Sequence, residues 1–340
     1  MNGSFPSIEG EKKNRWSIST LVKVAIAIFI LTYLFRHTSA HDLISKIKQI
    51  DLFTLCFCIA VLFVLNLSIA IRWQIILRHF GADGFFASLW RFTMIGAFFN
   101  QLLPTGMGGD VFRIGYATAS GVPLVTAVKS VLIDRIIGFL GLIILIVIGV
   151  PYLLSVTQFG TVMTTLLILV GLLAMAISLF LRIDLLNRAL CKFSYFSKWR
   201  CSLGFSARLL DSVEQCATDA RSLLSNLPNG LIVLFLSLIN QTFLGLVVFL
   251  LARAMGDHLD FFATVVVFPF VLLLSMIPIS LAGWGVREGA MVVVFELLGM
   301  PRDTALGVSI LFGICLFLSA LPGACMWLVG HRYVTAKVDS

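Results

Sequence analysis

The chain has 340 residues, of which 59% are hydrophobic and 12% are charged, and its formal net charge is +8. Because soluble domains carry about 25% charged residues, this composition excludes a water-soluble globular protein and indicates a polytopic membrane protein. The basic residues lie mostly in a few connecting segments, a pattern typical of membrane topology and lipid headgroup contact, and not of nucleic-acid binding.

The first part of the chain predicts two membrane spans. A polar, basic segment opens the chain, and the apolar run 18–35 that follows it is long enough to be a retained span. A second apolar run, 52–71, predicts the next span. Three arginines come after it, and the positive-inside rule assigns them to the cytoplasmic side: Arg72, Arg78 and Arg91.

The next stretch, 85–120, is apolar but is interrupted by a proline and three glycines between residues 104 and 109. Neither half is long enough to cross about 30 Å of hydrocarbon at about 1.5 Å per residue. The stretch therefore predicts a re-entrant helical hairpin. Full spans are predicted to follow at 123–150 and 159–181.

A long polar connection, 182–226, separates the two halves of the chain. It contains an amphipathic helix whose polar face carries Asp211, Glu214, Asp219 and Arg221. The apolar face predicts either that this helix lies on the membrane surface or that it packs onto the protein's own loops.

The second half repeats the pattern, with a span at 231–251, a broken apolar stretch at 261–298 and a last span at 304–329. The motif PTGMGGDVFRIG, which begins at Pro104, recurs in outline as PISLAGWGVREG, which begins at Pro278. Further matches on either side keep the same order, and together they indicate an internal repeat. The matching pairs include Gly81 with Gly256, Gly109 with Gly283, Arg113 with Arg287, and Gly121 with Gly299.

These patterns predict an all-α polytopic membrane protein with inverted repeats, about seven full spans and two re-entrant helical hairpins. A single transmembrane domain covers 1–340, with repeat 1 at about 52–150, repeat 2 at about 229–330 and a cytoplasmic linker with the amphipathic helix at about 182–226. Both termini are predicted to be cytoplasmic. In this arrangement the first hairpin enters the membrane from the cytoplasm and the second from outside, so the breaks of the two hairpins approach each other near the bilayer midplane.

Charged residues within the apolar stretches are the candidates for a binding site, because hydrocarbon tolerates them least. Arg113 and Arg287, one in each repeat, suit bidentate hydrogen bonding to a phosphate. The alternative is that each arginine pairs only with its neighbouring carboxylate, Asp110 or Glu288, and locks its hairpin. Backbone N–H groups freed by the helix breaks would add donors for an anion at Gly108, Gly109, Gly283 and Gly285.

Four further polar residues complete the predicted site: Asp134, Arg135, Asn100 and Gln101. Asp134 lies roughly 16 Å into its span by helical rise, so its carboxylate is expected to face a cavity or an arginine. The equivalent position of the second half, near Phe312, is apolar, which predicts an asymmetric site. Lys129 is expected to snorkel. Interhelical hydrogen bonding is the expected role of Asn240 and Gln241 and the alternative role of Asn100 and Gln101.

The sequence contains no HExxH, P-loop or GxSxG motif and no paired metal-ligand spacing. We therefore expect no enzymatic activity, no cofactor and no bound metal. The expected partners are membrane lipids, in particular lipids with an anionic headgroup. A separate lipid-synthesising enzyme and a second copy of the chain are left open as protein partners.

The run NQLLPTGMGGDVFR, from Asn100 to Arg113, resembles the signature of the lysylphosphatidylglycerol synthetase membrane-domain family, the flippase-like integral membrane proteins. The Asp134-Arg135 pair and the run GWGVREG from Gly283 also match that family. The resemblance implies a lipid translocator of the bacterial inner membrane, and the short end after the last span implies a stand-alone member without the soluble synthase domain.

The favoured hypothesis is therefore a flippase that moves a polar or anionic lipid between leaflets. The alternatives are a solute or ion carrier, a headgroup transferase, or a membrane partner of a lipid-modifying enzyme.

Overall fold

The computed structural model describes residues 45–103, 108–156, 160–183, 204–276 and 283–335, with scattered residues between 25 and 36. Within these ranges the chain is helical and no strand occurs. Most of the predicted first span, the prolines that open the two repeated motifs and the first part of the polar connection lie outside the described residues.

Ten helices are numbered here in chain order. They are α1 Leu52–His79, α2 Phe86–Leu102, α3 Gly108–Ala119, α4 Leu124–Val156, α5 Thr161–Leu181, α6 Gly204–Ser225, α7 Leu227–Ala254, α8 Phe261–Ser275, α9 Val286–Glu296 and α10 Arg302–Thr335. Five of them, α1, α4, α5, α7 and α10, contain segments that are long and apolar enough to cross a membrane. Each of these coincides with a predicted span, so the described part of the chain is an all-α, multi-pass membrane protein.

Helix α1 continues past residue 71, where the sequence predicted that the span would end. Arg72 is only 7% exposed, and Trp73 and Leu77 beyond it are fully buried. The prediction that Arg72 lies in a basic segment at the membrane surface is therefore wrong, because the apolar stripe of the helix extends two turns further. The helix ends at His79, close to Gly81, whose φ of +70° is a conformation that favours glycine.

The helices of the second half repeat the order and lengths of those in the first. Helices α1 to α4 contain 28, 17, 12 and 33 residues, and α7 to α10 contain 28, 15, 11 and 34. Glycines with positive φ occupy matching turns, at Gly81 and Gly256 after the first helix of each set and at Gly121 and Gly299 before the fourth. The short helices α2, α3, α8 and α9 fall within the two broken apolar stretches, and each is too short to cross about 30 Å of hydrocarbon.

Helices α4 and α7 run parallel and in contact with each other. A Cβ atom on Gly141 of α4 would meet Ser237 of α7. Eight residues further along each helix, Gly149 and Gly245 both lie against one turn of α8, at Val266 and its neighbour. These glycines allow the helix backbones to approach closely, as small residues do where helices pack within a membrane.

The hairpin formed by α2 and α3 is held by direct backbone contact. A Cβ atom on Gly109 would overlap the carbonyl group of Gly96, and one on Gly96 would reach the side chain of Arg113. The backbone N–H of Gly109 donates a hydrogen bond to Asn100 Oδ1 at 2.8 Å. This donor, which the sequence suggested for an anion, is therefore used within the hairpin.

We expect Gly109→Ala to destabilise the protein by about 3 kcal/mol, because the new methyl group forces the two hairpin helices apart. The matched control is Gly115→Ala in the same helix, where a Cβ atom meets nothing within 4 Å. That change should be neutral or stabilising by up to about 1 kcal/mol, since alanine favours a helix. Thermal unfolding of both variants in detergent provides the measurement, and equal midpoints would contradict the close approach of Gly109 to Gly96.

The amphipathic helix α6 packs onto the membrane helices through its apolar face. Cys216, Ala220 and Leu223 are buried and belong to one apolar cluster with residues of α1, α4 and α7. Asp219 forms an ion pair with Lys129 of α4 at 2.9 Å. Lys129 was predicted only to snorkel, and the structure gives its ammonium group a specific partner. Of the two sequence-based alternatives, packing onto the protein itself describes this face, although its contacts are helices and not loops.

Candidate functional site

Five charged side chains from α1, α3 and α4 form a continuous series of ion pairs. Asp134 accepts hydrogen bonds from Arg72 at 2.7 Å and from Arg113 at 3.1 Å. Asp110 accepts from Arg113 at 3.4 Å and from Arg135 at 2.8 Å. We call these five residues the ion-pair network, in which positive and negative groups alternate.

The network lies deep inside the protein. Asp134 is 2% exposed and Arg113 is 4% exposed. Each carboxylate is held by two arginines, which satisfies the requirement that a buried charge has a partner. Three guanidinium groups face two carboxylates, so the network keeps one uncompensated positive charge. A buried site of this sign attracts an anion.

Arg113 occupies the centre of the network and has donors to spare. Its guanidinium carbon lies 4.4 Å from the ring centre of Trp73, and the Trp73 indole N–H donates to Ser130 Oγ at 2.9 Å. This stacking holds the guanidinium plane in place. Its Nε and Nη2 atoms are buried and have no hydrogen-bond partner in the part of the chain that the structure describes. Unused donors of an immobilised arginine provide a ready binding surface for a phosphate.

Arg72 is the member of the network that sequence reasoning missed. Its Nη1 donates to Ser237 Oγ at 3.2 Å, and Ser237 Oγ in turn donates to the Ile137 carbonyl at 2.9 Å. Arg72 thereby ties α1 to both α4 and α7. The available signal was the apolar stripe that continues through Trp73 and Leu77, which places the arginine within the span and not after it.

A cavity of about 250 Å³ opens beside the network. All five network residues line it, and the rest of its wall is largely apolar. The other lining residues are Asn66, Ile69, Thr93, Ala97, Asn100, Gly138, Phe139, Leu142, Asn240, Gln241, Leu244, Leu272 and Met276. The cavity therefore presents a charged region and an apolar region to the same ligand.

Two residues of α7, Asn240 and Gln241, line this cavity with amide atoms that have no hydrogen-bond partner among the described residues. Asn240 is 7% exposed, and neither its Nδ2 nor its Oδ1 has a hydrogen-bond partner. The Oε1 atom of Gln241 is also buried and unpartnered. The expectation that these amides form interhelical hydrogen bonds is wrong for Asn240. A buried amide without a partner is costly, so these groups suit a polar ligand.

Other predicted site residues around the first hairpin have different surroundings. Asn100 lines the cavity while it accepts from Gly109, as described above. Gln101 and Gly108 are not part of the cavity wall. Gly108 is buried, and a Cβ atom there would overlap Leu103, so this glycine allows the chain to fold back tightly. The structure thus brings Asn100 to the site but leaves Gln101 and Gly108 beside it.

The predicted residues of the second half form a separate, self-contained group. Arg287 bonds Glu288 at 2.6 Å, and Glu288 also accepts from the backbone N–H of Gly285. The Arg287 guanidinium lies 4.7 Å from the ring centre of Trp284 and 5.9 Å from that of Phe312. Neither Arg287 nor Glu288 lines the cavity.

The two repeats consequently treat the same arginine differently. Arg113 meets Asp134 of the following long helix, whereas Arg287 meets Phe312 at the equivalent place. The expected asymmetry of the site is therefore present. Gly283 and Gly285 have φ of +81° and +86°, and they shape the turn that leads into α9. The cavity wall does not include either of them.

This combination of apolar spans with a buried, positively charged cavity defines a multi-pass α-helical membrane protein built around an internal polar site. The chain belongs to the family described as the lysylphosphatidylglycerol synthase TM region, whose profile matches residues 20–323. It is also similar to the UPF0104 membrane protein MJ1595 of Methanocaldococcus jannaschii, with 23% identity over 331 residues. That match covers 94% of this chain and 97% of the relative. The family resemblance found in the sequence is confirmed.

Proposed function

We propose that this protein is a flippase, which moves a polar or anionic lipid between the two leaflets of its membrane. The observation that carries the proposal is the cavity, where a network with one excess positive charge shares a wall with apolar side chains. The headgroup phosphate would bind the free donors of Arg113. The acyl chains would remain against apolar side chains and surrounding lipid.

The proposal includes no catalytic step. Both carboxylates of the cavity, Asp110 and Asp134, are held between two arginines, so neither is available as a general base. Chemistry on the lipid would then belong to a separate lipid-synthesising enzyme.

We also propose that the two halves are inverted repeats with re-entrant hairpins, within one domain that covers 1–340. Helix α1 runs antiparallel to α4, because Arg72 meets Asp134 while the next residue, Trp73, meets the earlier Ser130. Since α4 and α7 are parallel, the first helices of the two sets, α1 and α7, run in opposite directions. This relation, together with the matching helix lengths, supports inversion.

The proposed location is the bacterial inner membrane, with both termini in the cytoplasm. Helix α1 ends, and α4 and α7 begin, at one end of the bundle. Arg78 and Arg221 lie near these helix ends, and the positive-inside rule assigns such an end to the cytoplasm. The five described spans and the predicted span at 18–35 make six, an even number, which is consistent with both termini on the same side of the membrane.

The test is lipid translocation in reconstituted vesicles that contain labelled phosphatidylglycerol. We expect Arg113→Gln to slow translocation about tenfold or more, because a charge-assisted contact to the phosphate is lost. The control is Arg78→Gln, since the Arg78 side chain is 61% exposed and its described ion pair is with the exposed Asp83. That variant should translocate at the wild-type rate.

The assay also separates this function from a solute or ion carrier. Wild-type vesicles without lipid translocation, or an Arg113→Gln variant that is folded and fully active, would overturn the flippase assignment. Folding is checked by the elution volume and the thermal unfolding midpoint of each variant in detergent.

A further inference from the structure

The charge balance of the cavity restricts which headgroups it can accept. This point rests on the proposed function, because it concerns the lipid that enters the same cavity. The network leaves one positive charge uncompensated, which matches the single negative charge of a phosphodiester. A second phosphate would find no further excess charge, and a neutral lipid would leave the excess positive charge of the network without a counterion.

The same balance disfavours a cationic group. Asp134 is bonded by Arg72 and Arg113, and Asp110 by Arg113 and Arg135, at 2.7 to 3.4 Å. Each carboxylate is thus already used by two guanidinium groups. An ammonium group in the headgroup would meet three arginines and no free carboxylate, and its like charge would be repelled.

The amides of α7 supply a second, uncharged recognition element. Asn240 offers a donor and an acceptor without partners, and Gln241 offers an acceptor. They lie about one helical turn, roughly 5 Å, from Ser237, which binds Arg72 of the network. A hydroxyl group both donates and accepts, so a hydroxyl-bearing group attached to the phosphate satisfies both kinds of atom.

We infer that the ligand is a phosphodiester lipid with one negative charge and an uncharged, hydroxyl-bearing headgroup, and that Asn240 and Gln241 determine this headgroup specificity. Arg113 holds the phosphate, and the amides bind the hydroxyl groups. Phosphatidylglycerol is the simplest lipid of this class and serves as the probe.

The experiment compares binding of three lipids to the purified full chain by native mass spectrometry. The lipids carry the same acyl chains and are phosphatidylglycerol, phosphatidylmethanol, which lacks the hydroxyl groups, and phosphatidylethanolamine, which adds an ammonium group. We expect phosphatidylglycerol to bind about fivefold more tightly than phosphatidylmethanol and at least about tenfold more tightly than phosphatidylethanolamine.

Substitution of the amides separates recognition from structure. Asn240→Leu should bind phosphatidylglycerol and phosphatidylmethanol equally, while both remain preferred over phosphatidylethanolamine. Its unfolding midpoint should equal or exceed that of the wild type, because an unpartnered buried amide is replaced by an apolar group of similar size. A steep fall in this midpoint would show that the amide is structural and would overturn the inference. Gln241→Leu is the second variant with the same expected readout.

The outcomes distinguish this inference from the proposed function. Equal binding of the three lipids by the wild type, with binding lost in Arg113→Gln, would overturn the headgroup inference and leave the anion site intact. Unchanged binding in Arg113→Gln would overturn both. Glycerol phosphate and inorganic phosphate are added as soluble competitors at millimolar concentration. If either competitor displaced the lipid, the ligand would be a soluble anion, and the headgroup inference would be overturned.

Discussion

Asp134→Asn is expected to destabilise the protein by about 3–5 kcal/mol. The substitution keeps the size of the side chain but removes the charge that holds Arg72 and Arg113. The guanidinium groups of Arg72 and Arg113 would then lie in a water-poor interior, and Asp110 would be the one remaining negative charge of the network. The unfolding midpoint in detergent, followed by tryptophan fluorescence, is a direct measurement, since Trp73 stacks on Arg113.

The control for this prediction is Asp83→Asn, which breaks an exposed pair. Asp83 and Arg78 are 3.5 Å apart, and their side chains are 89% and 61% exposed. Water replaces such a contact, so no measurable change in stability is expected. Removing Arg72 together with Asp134, as Arg72→Leu with Asp134→Leu, should recover part of the loss, because a buried pair is replaced by apolar groups. A midpoint for Asp134→Asn equal to that of the wild type would contradict the structural role of the network.

Glu288→Gln is expected to cause a loss of similar size in the second half of the protein, about 3–5 kcal/mol. Glu288 is completely buried, and its carboxylate is the bonded counterion of Arg287. The amide of glutamine can still accept from the N–H of Gly285, so the substitution tests the charge and not the helix cap.

The double variant Arg287→Met with Glu288→Gln decides between the two roles considered for Arg287. It removes both charges, so stability should return close to that of the wild type. Lipid translocation should also be retained, because this pair does not line the cavity. A folded double variant without translocation would place Arg287 on the lipid pathway and would favour the original prediction that both arginines bind substrate.

These two predictions assign unequal roles to residues that the sequence presents as equivalent. In the first half, the arginine is shared among partners from two helices and keeps free donors. In the second half, it is satisfied by its own neighbour. If the variants behave as expected, one half of the repeat carries ligand recognition and the other stabilises a hairpin.

Much of the fold and most members of the ion-pair network followed from the sequence alone. Apolar runs of sufficient length identified the five described spans, because hydrocarbon thickness sets the length of a helix that crosses it. The repeated Pro/Gly motifs located both pairs of short helices. Arg113, Asp110, Asp134 and Arg135, four members of the ion-pair network, were identified because an ionised group in an apolar stretch needs a charged partner or a polar cavity.

Other features were decided only by tertiary packing. From the sequence, we predicted that Arg72 lies at the membrane surface and that Arg287 shares a binding site with Arg113. We also predicted that Asn240 forms a hydrogen bond to another helix. Which partner a side chain meets depends on how α1, α4 and α7 lie against one another, and these helices are far apart along the chain. Local periodicity reports that a residue is buried, whereas the antiparallel approach of α1 to α4 determines that Arg72 meets Asp134. The sequence therefore identified charges that needed partners, and the packing of distant helices selected those partners and left Arg113 with donors to spare.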